Sequence, residues 1–279
     1  MRSRKGLIAI VLTTLLLAVF SFAAFAQRAP LERMEVGNIV IEPIITQNDS
    51  PLREPIALDF AVDGTIFFIE RQGYVNQLNP YTGERIELLQ LDVFMSKPGG
   101  ERELGLMGIA LEPGFNFKDK NKIWLYYSPN PENNVMNRLS RFEYKIGEDG
   151  VPYIDPESEQ IIFMVYWDRD WCCHPAGDLR FGPDGTLYLS LGDDVMPNGT
   201  HGGYAGLDTR PGNEASNNLR TSQSATDVRG KILRLNPDGT IPTDNPYYSD
   251  SRYHPAVYAI GFRNPYRIHI DPVTGWVLY

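Results

Sequence analysis

Short runs of alternating apolar and polar residues, separated by tight-turn signals, dominate the chain. Residues 58–60 (Leu-Asp-Phe) lead into Asp-Gly-Thr-Ile-Phe at 63–67, and residues 179–181 (Leu-Arg-Phe) lead into Asp-Gly-Thr-Leu-Tyr at 184–188. Alternation with a period of two predicts half-buried β-strands, and each Asp-Gly pair predicts a tight hairpin turn because glycine accepts a positive φ. The two copies therefore predict the same strand–turn–strand unit.

Looser copies of this unit extend the pattern along the chain. They begin at Ile109 and Ile268, and further strands end in Leu-Asn-Pro at 78–80 and 235–237. Repeated hairpins with aromatic residues are typical of a β-propeller with one blade per repeat, so we predict an all-β fold of about four blades. One blade carries an insertion loop at 194–227, rich in Gly, Asn, Ser and Thr, which is either functional or a disordered surface insertion.

The first 26 residues have the three parts of a secretory signal. Arg2, Arg4 and Lys5 form a basic start, an apolar run covers 7–20, and Ala-Phe-Ala at 24–26 supplies small residues for cleavage. The alternative is a membrane anchor, for which the run is short, since a span needs about 20 apolar residues. We predict export to the periplasm or the outside of the cell. The predicted segments are a signal peptide at 1–26, a lead-in at 27–54 and a partial propeller at 55–279.

Composition and charge narrow the classes of function. The chain has 26 Lys and Arg against 35 Asp and Glu, a formal net charge of −9, which becomes −12 once the three basic residues of the signal are removed. Such an acidic chain is a poor general binder of nucleic acid or anionic membranes, so we expect neither as a partner of the mature protein. Its two cysteines exclude a multi-disulfide scaffold and a four-cysteine zinc site.

Three polar residues occupy equivalent positions in different repeats. Glu103 lies six residues before Ile109, while His174 and Arg263 each lie five residues before the start of their own repeats. In a propeller, the loops that enter the innermost strands meet at one end of the central axis. We therefore expect a carboxylate, an imidazole and a guanidinium from three blades to share one small volume.

The chemistry of these residues is complementary. His174 is a candidate general base near neutral pH, and Asp193, which ends the strand after it, could hold the imidazole in one tautomer. Arg263 offers a planar fork for an anionic or carbonyl-bearing group, and Asn264 offers a donor and an acceptor. No two histidines have the spacing of a zinc motif, so no metal ligand is assigned.

Two adjacent cysteines directly precede the candidate base. In an exported protein Cys172 and Cys173 could form a vicinal disulfide, a strained link that would stiffen the loop before His174. The alternative is a pair of free, buried thiols. Mass spectrometry of the unreduced protein distinguishes the two.

Four ordered segments resemble the soluble quinoprotein glucose/sorbosone dehydrogenase family, which includes aldose sugar dehydrogenases. Residues 103–110 (Glu-Leu-Gly-Leu-Met-Gly-Ile-Ala) resemble its E-x-G-L-L-G-x-A signature, and residues 174–193 are similar to its H-x-x-G-x-L-x-F-G-P-D-G…G-D motif. Residues 229–236 and 261–265 are similar to further family segments in the same order. The resemblance covers about residues 55–279.

The resemblance implies a six-bladed β-propeller, of which this chain forms an incomplete part, with pyrroloquinoline quinone on its axis and calcium beside the quinone. It implies an exported oxidoreductase that oxidises a hydroxyl of a small sugar or alcohol by hydride transfer to the quinone, and then passes electrons to an external acceptor. His174 would be the base and Asp193 its orienting partner. Glu103, Arg263 and Asn264 would bind the cofactor.

The chain departs from the family pattern in two respects. Cys173 stands where some members have an Asp that acts on the sugar, which leaves the choice of sugar or alcohol open. The family's calcium-binding carbonyls, and further cofactor-binding Lys and Arg residues, correspond to positions beyond residue 279, so no calcium ligand is assigned. We therefore expect these 279 residues alone to be inactive, with an unclosed ring that does not hold the quinone tightly.

Two other functions fit parts of the pattern. One is a non-catalytic extracellular propeller that only binds a ligand, for which a base-like His174 with Asp193 is not needed. The other is a calcium-dependent lactonase, which requires a cluster of carboxylates and Asn on the axis and finds candidates only in Glu103, Asp193 and Asn264.

Overall fold

The computed structural model divides the chain into two units, residues 1–51 and residues 52–279. It describes residues 34–36, 39–41, 43–45, 51–95, 103–130, 135–168, 173–195 and 207–279. In the first unit, β1 (Met34–Val36) pairs with β2 (Ile39–Ile41) in an antiparallel hairpin. The predicted signal peptide and most of the predicted lead-in lie outside the described residues.

In the second unit the described residues form three four-stranded antiparallel sheets and a two-stranded one, each with its strands in chain order. The first sheet is β3 (Pro55–Phe60), β4 (Ile66–Glu70), β5 (Tyr74–Leu78) and β6 (Arg85–Gln90). The second is β7 (Leu106–Leu111), β8 (Lys122–Tyr127), β9 (Met136–Ile146) and β10 (Pro152–Tyr166). The third is β11 (Ala176–Phe181), β12 (Leu187–Leu191), β13 (Lys231–Leu235) and β14 (Val257–Ile260), and the last pair is β15 (His269–Ile270) and β16 (Val277–Leu278).

This arrangement is an incomplete β-propeller of about four blades, as predicted. The helices of the described part are two short 3₁₀ turns, Glu214–Ser216 and Asn218–Arg220, in the long connection between β12 and β13. None of the described helices has the length and apolar character that a bilayer crossing requires.

The two matching sequence copies form matching hairpins, which confirms their predicted equivalence. The Asp63 carboxylate accepts a hydrogen bond from the backbone N–H of Thr65 at 2.9 Å, and Asp184 accepts from Thr186 at 3.1 Å. In both turns the aspartate fixes the backbone two residues on, which is the reason Asp is favoured there. The strands on either side therefore start in the same register in both blades.

The apolar core lies between neighbouring blades. Phe67 of the first blade packs edge-on against Phe115, and Tyr144 of the second blade packs against both rings. Between the second and third blades, Trp124 meets Phe181 at 5.1 Å between ring centroids. Each blade is thus a half-buried sheet whose apolar faces require a neighbour on each side.

The first strands of the four sheets are neighbours around one axis. Strand β7 lies beside β3 and β11, and β11 lies beside β15. Two carboxylates, a half-buried and a buried one, link these strands: Asp59 accepts from the N–H of Leu111 at 2.8 Å, and Asp178 accepts from the N–H of Ile268 at 2.9 Å. Because the chain enters each of these strands from the same end of the axis, the loops before β7, β11 and β15 meet there.

Candidate functional site

A buried histidine–aspartate couple forms the centre of this end. His174 precedes β11 and Asp193 follows β12, and the pairing of Ala176 with Leu191 brings the two positions together. The imidazole Nδ1 lies 2.7 Å from Asp193 Oδ1, and both side chains are 4% exposed. Because an ionised carboxylate only accepts, Nδ1 is the donor in this contact, and a neutral imidazole held this way has its lone pair at Nε2.

The backbone around the couple is unusually constrained. Cys173, His174 and Ala176 all have positive φ values, of 85°, 62° and 49°, although none is a glycine. Gly192 lies so close that a Cβ atom there would meet the His174 carbonyl oxygen at 1.6 Å. Cys173 is disulfide-bonded; Cys172, the other cysteine of the chain, lies outside the described residues.

One carboxylate connects the loops of three blades. Glu103 Oε2 accepts from the backbone N–H of His174 at 2.8 Å and from Asn264 Nδ2 at 3.3 Å. The structure therefore brings Glu103, His174, Asp193 and Asn264 together. The Asn264 Oδ1 atom is buried and has no hydrogen-bond partner within the described part of the chain.

Arg263 joins this group through its backbone only. Its carbonyl oxygen accepts from the N–H of Asp193 at 2.8 Å. The residue is exposed, and across the described ranges no hydrogen bond or ion pair occupies its guanidinium. A free guanidinium at the rim of a buried acid–base couple is available to a ligand with an anionic or carbonyl group.

Sequence reasoning missed a second layer of charge behind the couple. Asp194 is fully buried in a left-handed conformation, and its Oδ2 lies 2.5 Å from Arg229 Nη1. Burial raises the pKa of Asp194 to about 7, although Arg229 and Arg220 lower it. The sequence signal for this buried pair is the 229–236 segment, which is similar to the family pattern but does not indicate which of its side chains face inward.

The described residues do not offer an obvious metal centre. Nowhere in those ranges do three or more His, Cys, Asp or Glu side chains come together as a possible metal site. Of the remaining histidines, His254 packs edge-on against Phe163, His269 is exposed on β15, and His201 lies outside the described residues.

Comparison with known proteins places this geometry in a family. The model of the Glucose / Sorbosone dehydrogenase family matches residues 52–279. The chain belongs to that family. The resemblance found in the sequence motifs is thereby confirmed, and the chain is a sugar-dehydrogenase-like propeller.

The relatives of this chain include a protein named as an enzyme and a protein named for an interaction. Hedgehog-interacting protein of Mus musculus is 29% identical over 238 residues, 80% of this chain and 31% of that protein. Quinoprotein glucose dehydrogenase B of Acinetobacter calcoaceticus is 27% identical over 80% of this chain and 45% of its own length. The chain thus spans less than half the length of these two curated relatives.

A solved structure shows the same fold. The crystal structure of an oxidoreductase (glucose dehydrogenase) from Thermus thermophilus superposes with a TM-score of 0.61 at 26% identity. The match covers 81% of this chain and 56% of that one.

Proposed function

We propose that this protein is an exported oxidoreductase that oxidises a hydroxyl of a sugar or alcohol by hydride transfer to bound pyrroloquinoline quinone. The observation that carries the proposal is the buried His174–Asp193 couple at the axial end where three blades meet. Relatives named as quinoprotein glucose dehydrogenase and aldose sugar dehydrogenase support the reaction class.

In this proposal His174 is the general base. Its Nε2 lone pair takes the hydroxyl proton of the substrate, and the imidazolium that forms is stabilised by Asp193 at 2.7 Å. Asp193 is held in turn by the N–H of Val195, which donates to the same Oδ1 at 3.1 Å. The couple therefore keeps one tautomer and one ring orientation throughout proton transfer.

The residues around the couple fit an anionic quinone. The free guanidinium of Arg263 supplies positive charge, and the unpaired, buried Oδ1 of Asn264 accepts from a ligand donor. Glu103 holds Asn264 and the His174 backbone, so its predicted cofactor contact would sit beside these two hydrogen bonds. When bound, the quinone supplies the hydride acceptor. Among the described residues, no three His, Cys, Asp or Glu side chains come together that could hold calcium.

The sequence features carry the rest of the proposal. We place a signal peptide at 1–26, a lead-in at 27–54 and the propeller at 55–279 with an insertion loop at 194–227. Export to the periplasm or beyond exposes the site to external sugars and to an external electron acceptor.

The experiment is reconstitution of the full-length gene product with the quinone and calcium, followed by dye reduction with a panel of aldoses and alcohols. The wild type reduces the dye with at least one substrate, and His174→Gln lowers turnover by about 100-fold or more while still binding quinone. His269→Gln, an exposed histidine on β15, is the matched control and keeps wild-type turnover. A wild type that neither reduces the dye nor binds the quinone would refute the proposal.

A binding module is the second candidate, because Hedgehog-interacting protein matches over 80% of the chain. This function requires no cofactor. Quinone titration monitored by absorbance separates the two: saturable binding that weakens in Arg263→Ala supports the enzyme, and its absence with an intact fold supports the binding module.

A further inference from the structure

One glycine connects the two loops that carry the site. The N–H of Gly230 donates to the carbonyl of Gly192 at 2.7 Å, and the carbonyl of Gly230 accepts from the N–H of Phe262 at 3.0 Å. Gly192 directly precedes Asp193, and Phe262 directly precedes Arg263. Gly230 therefore bridges these loops, beside the direct hydrogen bond from the N–H of Asp193 to the Arg263 carbonyl at 2.8 Å.

Only glycine is compatible with this position. Gly230 has a φ of +68°, and a Cβ atom there would lie 2.3 Å from the Ser222 side chain and 2.8 Å from the Phe262 carbonyl oxygen. Any larger residue would have to displace Ser222 and the Phe262 carbonyl.

Arg229, the residue before Gly230, holds Asp194, the acidic residue next to Asp193. Arg229 is buried, and its guanidinium lies 2.5 Å from both Asp194 Oδ2 and Asp227 Oδ2. Asp194 follows Asp193 in a left-handed conformation with a φ of 51°. A planar guanidinium between two carboxylates holds both in fixed directions, which a lysine does not reproduce.

Lys231, the residue after Gly230, holds the backbone of this turn by hydrogen bonds. Lys231 is fully buried, and its ammonium donates to the backbone carbonyls of Thr221 at 2.9 Å, Arg229 at 3.0 Å and Ser222 at 3.4 Å. The Lys231 ammonium thus binds carbonyl groups of the segment that leads to Gly230.

We propose that the Arg229-Gly230-Lys231 turn is the positioning element of this site: it sets the Asp193 and Arg263–Asn264 loops through Gly230 and the left-handed Asp194 through Arg229. This inference rests on the proposed dehydrogenase function for its kinetic consequence. None of the three residues touches the predicted reacting atoms, so all three act through the residues that they hold.

Strand β13, which begins at Lys231, provides a matched control for Arg229. Arg234 on β13 is as buried as Arg229, with 8% against 7% exposed, and also bridges two carboxylates, Asp184 at 2.7 Å and Asp244 at 2.8 Å. It lies at the opposite end of that strand from the site. Arg229→Met and Arg234→Met each remove a guanidinium that bridges two carboxylates, and only the first removes a site contact. The carboxylates of Arg229 are the more buried, so Arg229→Met is expected to lower the thermal midpoint further.

The experiment compares these variants in the full-length protein by three readouts: thermal midpoint, dye-reduction kinetics, and the NMR signal of the hydrogen-bonded His174 Nδ1–H. That signal is assigned by its loss in His174→Gln. We expect both variants to lower the midpoint, whereas only Arg229→Met broadens or shifts the His174 signal and lowers kcat about 10- to 100-fold. Arg229→Lys is expected to be intermediate, since it keeps the charge without the fork.

Equal kinetics and an unchanged His174 signal in Arg229→Met and Arg234→Met would overturn the proposal. If Arg229→Met does not fold, Arg229→Lys and Asp194→Asn take its place, with the same two outcomes. A wild type that reduces no dye, but whose His174 signal responds to Arg229→Met alone, refutes the dehydrogenase function and still supports the positioning role.

Discussion

Gly192→Ala provides a direct test of the packing at the candidate site. The new Cβ would lie 1.6 Å from the His174 carbonyl oxygen and 3.1 Å from Asn264 Oδ1. Backbone must move, because real Cβ contacts are essentially never closer than 3.0 Å. The His174 carbonyl would therefore shift by about 1.4 Å or more, and overpacking of this kind destabilises by about 1–3 kcal/mol. Since a misplacement of about 1 Å can lower a rate by about 100-fold, we expect a loss of that size in kcat/KM.

The assay pairs urea unfolding with dye-reduction kinetics on the full-length protein, and Gly150→Ala is the control. Gly150 lies in the turn between β9 and β10, with a φ of +80°, and a Cβ atom added there would have no other atom within 4 Å. Its replacement costs only the left-handed backbone conformation, about 1 kcal/mol, and leaves kinetics unchanged. Wild-type kcat/KM in Gly192→Ala would refute the argument that Gly192 sets the position of His174.

Three further predictions test separate parts of the account. Asp193→Asn should lower kcat by about 100-fold or more with KM little changed, because the amide no longer holds the His174 imidazole in one tautomer; steady-state kinetics check this. Burial lowers the pKa of Lys231 to about 8. Between about pH 8 and 10.5 the native state therefore binds fewer protons than the unfolded state, so the free energy of unfolding rises across that range by about 3 kcal/mol. Unfolding titrations check this, and Lys231→Met should lack the rise. Phe67→Ala should cost about 3–5 kcal/mol in urea unfolding by opening a cavity between two blades, whereas Tyr81→Ala, at an 86% exposed position, should cost little.

The strands could be predicted because their signals are local. An Asp-Gly turn bonds within itself, as Asp63 does to Thr65, so the sequence near it suffices. Equal positions in a repeat predicted that the loops of Glu103, His174 and Arg263 meet, since the topology places equal positions at one end of the axis. The side chain of the last loop that contacts Glu103 is that of the next residue, Asn264. Repeat position does not determine side-chain direction, however, and Arg263 contacts Asp193 through its carbonyl alone.

The second layer could not be predicted for a different reason. Asp194 and Arg229 are 35 positions apart, and nothing in the sequence indicates that Asp194 is the partner of an arginine. Lys231 is still harder to place, because lysine is rarely buried without a carboxylate and its partners are backbone carbonyls. Such partners leave no mark on side-chain identity, so they appear only once the chain is folded.

Backbone strain at the site favours a chemical role over passive binding. The positive φ values of Cys173, His174 and Ala176 each cost about 1 kcal/mol or more, and such conformations persist only where surrounding contacts determine them. Here Glu103 holds the His174 backbone while Asp193 holds its ring. A surface that only binds a partner gains nothing from an imidazole fixed at both points. A general base does, because proton transfer depends on distance and direction, and this difference is what supports the dehydrogenase over the binding module.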